Sequence, residues 1–326
     1  MEQTPKKIYK DFLNNNLDKN SAVDLLTSII EHSDYEEKRI ECVENIGKIL
    51  SNEVKTNEVF EFLENLVIAD QNEKVRNSAI TVLRENFLNK AFGVIKFAIK
   101  HESDYFCLVN LSETLAEIKN TDSKTILIKQ IQRIKKEKYL DKDKKIGNKK
   151  YKRALNNLLK LNKLESFSHK YLAEILINFK TISALIKRFY SVYFELKNIL
   201  VAKLDLADVE YEVRGWKADY KNNIKSISEI TGLKNLKYLT HLNLSNNQLS
   251  GIQDLSYLKN LTHLYLSNNL IQDIENLKYV KEMSNLKYLD ISNNRIADYL
   301  TQEDFGTLQV NLKKTYDINF TSYRGL

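Results

Sequence analysis

LTHLNLSNN runs from Leu239 to Asn247, and LTHLYLSNN from Leu261 to Asn269; of nine positions only one differs, Asn243 against Tyr265. A looser copy, LKYLDISNN, runs from Leu286 to Asn294. Aligned on the last asparagine, the three read L-x-x-L-x-L-x-x-N-x-L/I, completed by Leu249, Ile271 and Ile296. Asn247, Asn269 and Asn294 stand 22 and 25 residues apart. A fainter copy precedes them, with Asn222, Ile224, Ile227 and Ile230 where Asn247, Leu249, Ile252 and Leu255 stand. A unit of this length cannot bury its own apolar face, so the copies must stack.

The pattern resembles the leucine-rich repeat family, in its short subclass of about 22 residues. The resemblance implies that each L-x-L is a short strand paired in parallel with the next, its leucines pointing into the solenoid. The turn after such a strand leaves buried backbone groups that need partners. An amide side chain both donates and accepts, so Asn247, Asn269 and Asn294 are expected to form a structural ladder.

The other strand positions then face the concave surface: His241, Asn243 and Ser245; His263, Tyr265 and Ser267; Tyr288, Asp290 and Ser292. They form columns at the roughly 4.8 Å spacing of paired strands. Polar and aromatic residues in such rows suit a protein-binding face, and in this family protein partners commonly dock there. Exposed strand positions must also simply be polar, and duplicated repeats share residues by descent. A metal or catalytic site from His241, His263 and Asp290 is the sharper alternative, but metal ligands must converge. With no HExxH, GxSxG, phosphate loop or Cys/His cluster in the chain, we expect no metal, no cofactor and no catalytic residue.

The N-terminal part follows a different, helical period. Ala22, Leu25, Leu26, Ile29 and Ile30 share one face, with Ser21 as a candidate cap, and Ile40, Val43, Ile46, Ile49 and Leu50 another. The pair recurs around the breaks ADQNEK and HESDY, placing Arg39, Arg76 and Cys107 in register at spacings of 37 and 31. ADQNEKVRNSAITVL, with Asp70, Val75, Arg76 and Ala79, resembles HEAT repeats; the first copy has Lys38 and Cys42 for Val and Ala, and the third lacks the arginine. The resemblance implies stacked helical hairpins.

The organisation expected is therefore an α-rich repeat protein, an α-α superhelix of HEAT-like hairpins followed by a short α/β leucine-rich repeat solenoid. Residues 1–20 read as a polar lead-in, 21–132 as HEAT-like repeats, 133–153 as a basic connector, and 154–215 as a helical extension and cap. Residues 216–303 read as leucine-rich repeats and 304–326 as a C-terminal cap. Helical spacing runs from about Leu172 to Leu204. We expect the helices before residue 216 to cover the first repeat, with Trp216 near the junction and one continuous curved superhelix overall.

Net charge is +7 over 326 residues, but eleven Lys/Arg against three acids lie between Arg133 and Arg153, so the remainder is near neutral. This segment, including Lys142, Lys144, Lys145, Lys149 and Lys150, reads as a solvated loop, or as contact with an acidic protein, a nucleic acid or an anionic membrane. Two cysteines without a CxxC fit a reducing compartment. The absence of a signal-like N-terminus or a long apolar run points to the cytoplasm. The function expected is a monomeric, non-catalytic adaptor for a protein partner. The alternatives are a regulatory subunit of an enzyme such as a phosphatase, and a nucleic-acid or anionic-surface binder.

Overall fold

A computed structural model of the chain describes residues 3–51, 57–134, 148–160, 164–189, 191–209, 224–301, 303 and 311–313. The chain divides into two compact units, Met1–Ile131 with Lys163–Leu176, and Gln132–Asn162 with Ile177–Leu326.

The first unit is built from α1 (Pro5–Leu13), α2 (Lys19–His32), α3 (Glu36–Ser51), α4 (Asn57–Ala69), α5 (Glu73–Phe87), α6 (Phe92–His101), α7 (Tyr105–Ile118) and α8 (Thr121–Ile134). Helices α2 and α3, α4 and α5, and α6 and α7 pack as three hairpins. Neighbouring hairpins meet through α3, α5 and α7, and through α4 and α6. Each hairpin turns in three residues, and in two of them a polar side chain closes the next helix's first turn. Asn72 accepts the amides of Lys74 and Val75, and Asp104 that of Cys107.

Three expectations are corrected in this unit. Residues 1–20 are not a mere lead-in: Pro5–Leu13 is a helix capped by Thr4, with proline in its first turn, and it buries Ile8 while packing on α2 and α3. The cap of α2 is Asp18, which accepts the Ser21 amide, rather than Ser21 itself. Counted from the caps, Cys107 is the equivalent of Val75, not of Arg76; both side chains are fully buried.

The arginines tie one hairpin to the next. Arg39 donates to the carboxylate of Asp70, in the turn of the following hairpin, and to the carbonyl of Ile30 at 2.9 Å. Arg76 repeats this one hairpin later, with Nε and Nη2 on Glu102 at 2.9 and 3.1 Å and Nη1 on the carbonyls of Asp70 and Gln71. In the third copy Leu108 stands in the arginine position, and one residue before it the Cys107 thiol donates to the Glu73 carbonyl at 3.2 Å.

The second unit holds α9 (Asn148–Lys160), most of α10 (His169–Arg188), α11 (Asn276–Lys281) and a sheet ordered β1-β2-β3-β4-β5-β6. The strands are Tyr193–Lys197, Leu200–Asp205, His241–Asn243, His263–Tyr265, Tyr288–Asp290 and Asn311–Lys313. Only β1–β2 is antiparallel; the rest are parallel. Leu242, Leu244, Leu264, Leu266 and Leu289 are fully buried behind the strands.

The helical spacing through Leu204 does not continue as helix. It stops at Arg188, and Tyr193–Asp205 is a hairpin turned by Asn198 and Ile199, both at positive φ. The run is rich in aromatic and branched residues, which fit a pleated strand better than a helix. Its second strand opens the leucine-rich series. Lys203, Leu204 and Asp205 pair with His241, Leu242 and Asn243, so VAKLDLADV (Val201–Val209) is a further copy with Val209 in the asparagine position. Asp208 takes the left-handed conformation of Asn246, Asn268 and Asn293, and its amide bonds the Ser245 carbonyl as Asn246 bonds Ser267 and Asn268 bonds Ser292.

The hairpin is held from behind by helices of its own unit. Asn178 accepts the Val201 amide at 2.9 Å, and Tyr151 donates to the Phe179 carbonyl at 3.0 Å with its ring against Phe194. The repeat at Leu239 is thus preceded by a β-hairpin whose second strand is itself a repeat strand, with helices packed behind it. Trp216, Asn222 and most of the expected C-terminal cap lie outside the described residues.

Candidate partner-binding face

The asparagines occupy the turns after the strands. Asn247, Asn269 and Asn294 accept the amides of Ile224, Leu249 and Ile271 at 2.9–3.0 Å. Each Nδ2 reaches back to a carbonyl of the preceding copy: Leu206, Leu244 and Leu266, at 2.8–2.9 Å. Each also donates within its own turn. All three are buried, Asn294 completely. Burial makes these bonds matter, since an unpaired interior amide or carbonyl costs about 1–3 kcal/mol. A second, exposed ladder runs beside them, Asn293 to Asn268 to Asn246, at 2.6 and 2.8 Å.

The nine outward candidates separate into two kinds. Ser245, Asp290 and Ser292 are buried rather than presented to a partner. The reason lies in the turn: Asp290 Oδ1 accepts the amide and hydroxyl of Ser292 at 3.1 and 2.6 Å. Asn243 closes its own turn in the same way on the Ser245 amide, and Asp205 on that of Ala207. Ser267 donates to Ser245 at 3.0 Å. In this column of Asp205, Asn243, Tyr265 and Asp290, only Tyr265 has no carbonyl or carboxylate oxygen with which to close the turn.

What remains half-exposed is Asn243, Ser267 and a strip of rings. His241 and His263 stack with centroids 4.1 Å apart and planes 6° from parallel. Tyr288 continues the stack at 5.8 Å from His263, and Tyr265 leans on Tyr288 at 5.2 Å. Register produces this directly, because His241 pairs with His263 and His263 with Tyr288.

The threonines preceding the histidines set the imidazole protons. Thr240 Oγ1 lies 2.9 Å from the Ala202 carbonyl, and Thr262 Oγ1 lies 2.9 Å from that of Thr240. A carbonyl only accepts, so each hydroxyl proton is committed there. Each Oγ1 also lies 2.9 Å from Nδ1 of the following histidine, and with its proton spent it must accept. Both imidazoles therefore carry their proton on Nδ1 and leave Nε2 as an acceptor. Neither Nε2 has a hydrogen-bond partner among the described residues. Burial, then His263 and Lys203, push His241 below its ordinary value against the pull of Glu195. Lys203 itself is paired with Glu195 at 2.9 Å.

Residues 239–279 and, overlapping them, 259–302 match the family described as leucine rich repeats (2 copies). This part of the chain consists of leucine-rich repeats. No curated protein matches the chain. The matched segment starts at Leu239, so the copy at Val201–Val209 precedes it. Leucine-rich repeats are generally protein-interaction modules.

Among the described residues no three His, Cys, Asp or Glu side chains gather as a metal ion requires. Stacked rings also hold their Nε2 lone pairs side by side rather than converging on one point. Among those residues, too, no helix is long and apolar enough to cross a membrane. Of the basic segment, Lys149 and Lys150 lie exposed on the first turn of α9, with the Lys150 ammonium 5.7 Å from the Phe194 ring centroid. Lys142, Lys144 and Lys145 lie outside the described residues.

Thr240 and Thr262, which bond the two imidazoles, were not singled out from the sequence. Their signal was present, since Thr-His recurs as a unit in both LTHL copies.

Proposed function

We propose that the chain is a monomeric, non-catalytic scaffold of the cytoplasm that docks a protein partner on the concave strand face of its leucine-rich repeats. The observation that carries this reading is the half-exposed ring strip of His241, His263, Tyr288 and Tyr265. Aromatic rings held rigidly by a sheet supply contact area at little entropic cost, which is how interface anchors work. The helical unit is a HEAT-like stack. The repeated Arg39–Asp70 and Arg76–Glu102 pairs support that likeness. The two buried, unpaired cysteines suit a reducing compartment.

The reading is tested by affinity capture with the wild type beside Tyr265→Ala and Tyr288→Ala, each checked for an unchanged unfolding midpoint. Asp290 is left intact, because truncating it would open its turn. A partner held by the wild type and lost from both variants supports the face. A partner held equally by all three moves the interface elsewhere.

A further inference from the structure

Resting on that reading, the chemistry of the strip narrows the partner. We infer that the partner presents an arginine here, its guanidinium donating to Nε2 of His241 and His263 and lying against the rings of Tyr265 and Tyr288. The argument begins with the two hydroxyl-to-carbonyl bonds, which fix the Nδ1–H form of both imidazoles. The sheet then presents two parallel lone pairs, at a ring separation of 4.1 Å, to whatever meets this face. Two adjacent acceptors repel a carboxylate and invite a group with several N–H donors in one plane. Guanidinium is such a group, and its flat, weakly hydrated face also stacks on aromatic rings.

The charged neighbours do not overturn this. Lys203 on β2 is neutralised by Glu195 on β1. Asp290 on β5 is buried and bonded to Ser292. An acidic partner would need protonated imidazoles, and the surroundings of His241 favour its neutral form.

A pH dependence follows. Because Nδ1 already carries a proton, acidification can add one only at Nε2. At His241 that turns the acceptor into a donor and places positive charge opposite the guanidinium. Docking therefore weakens as pH falls through the imidazole range.

The test uses the full chain labelled with ¹⁵N in its histidine rings, and three probes: acetylated, amidated Gly-Arg-Gly, Gly-Gln-Gly and Gly-Glu-Gly. Long-range ¹H–¹⁵N spectra near pH 7.5 should show His241 and His263 in the Nδ1–H form. The arginine peptide should move both Nε2 resonances, and its apparent affinity should fall about tenfold or more by about pH 5. Tyr265→Ala should weaken it while leaving the tautomers unchanged. Nε2–H tautomers, a response largest for the glutamate peptide, no response to any peptide, or arginine binding indifferent to pH would each overturn the inference. The docking reading is scored separately, by cross-linking from position 265. A partner linked there through a segment without arginine would keep that reading and overturn this one.

Discussion

Leu249 and Asn269 share a hydrogen bond at 2.9 Å across 20 residues of chain, amide to side-chain carbonyl, and every asparagine of the inner ladder repeats it. Asn269→Ala removes that acceptor and one of two donors to the Leu244 carbonyl, which Asn247 Nδ2 still bonds, so the Leu249 amide is the buried backbone group left unpaired. We expect a loss of about 1–3 kcal/mol by urea unfolding, with faster hydrogen exchange at the Leu249 amide. Asn268→Ala, in the exposed ladder, should cost well under half as much. Equal effects at the two positions would show that burial is not what makes the inner ladder matter.

Arg76 and Glu102 form a two-point ion pair with 17% and 7% of their side chains exposed. Burial raises the Glu102 carboxyl, but the bonds from Arg76, Asp104 and Ser103 outweigh it and hold the group below its ordinary 4.5. A depressed carboxyl stabilises the fold above its unfolded value and loses that contribution as pH falls through the folded one. The stability of this unit should therefore drop below about pH 4.5, and Glu102→Gln should flatten that part of the profile. Arg76→Ala leaves a buried carboxylate without its counter-ion, held only by the Ser103 and Asp104 amides, and should cost about 2–4 kcal/mol near neutral pH. An unchanged acid limb in Glu102→Gln would assign the acid sensitivity to other groups.

Ile199 sits at φ 69° in the two-residue turn between β1 and β2, a conformation that a branched side chain disfavours. Ile199→Gly should raise stability by about 0.5–1 kcal/mol, since relief of the turn exceeds the added freedom of the unfolded chain. Thermal unfolding measures it, and a destabilised variant would mean that the isoleucine side chain contributes more by packing than its backbone loses.

Cys42 and Cys107 are fully buried. Burial, with a smaller push from Glu41, raises the Cys42 thiol to about 12. Burial foremost, with nearby Glu102 and Asp104, also pushes Cys107 upward. Iodoacetamide near pH 8 should leave both unmodified in the folded protein and label both in urea, as mass spectrometry would show. Rapid native labelling of either would contradict the packing of the hairpins around it.

The leucine periodicity from Leu239 to Ile296 was legible because one residue type fills each buried slot. The copy at Val201–Val209 was not, for two reasons. Val209 replaces the ladder asparagine, and Leu204 precedes Leu242 by 38 residues where the next step, to Leu264, takes 22. The same stretch also carries an accidental helical spacing, which hid the hairpin. At the face, alternation placed nine residues outward. It could not reveal that Asn243 and Asp290 turn back onto their own backbone, because that depends on the turn after the strand. Nor could it show the proton on Nδ1 of His241 and His263, which depends on a carbonyl contributed by the neighbouring strand.

The central claim, that a protein partner docks on the ring strip, is tested most directly by photo-cross-linking. A benzophenone amino acid is placed at position 265 in one preparation and at position 257, an exposed site outside the strands, in another. The account predicts one partner linked in high yield from 265 and absent from 257, with the linked peptide protected by untreated wild-type protein added in excess. Equal linking from both positions, or capture from 257 alone, would contradict it.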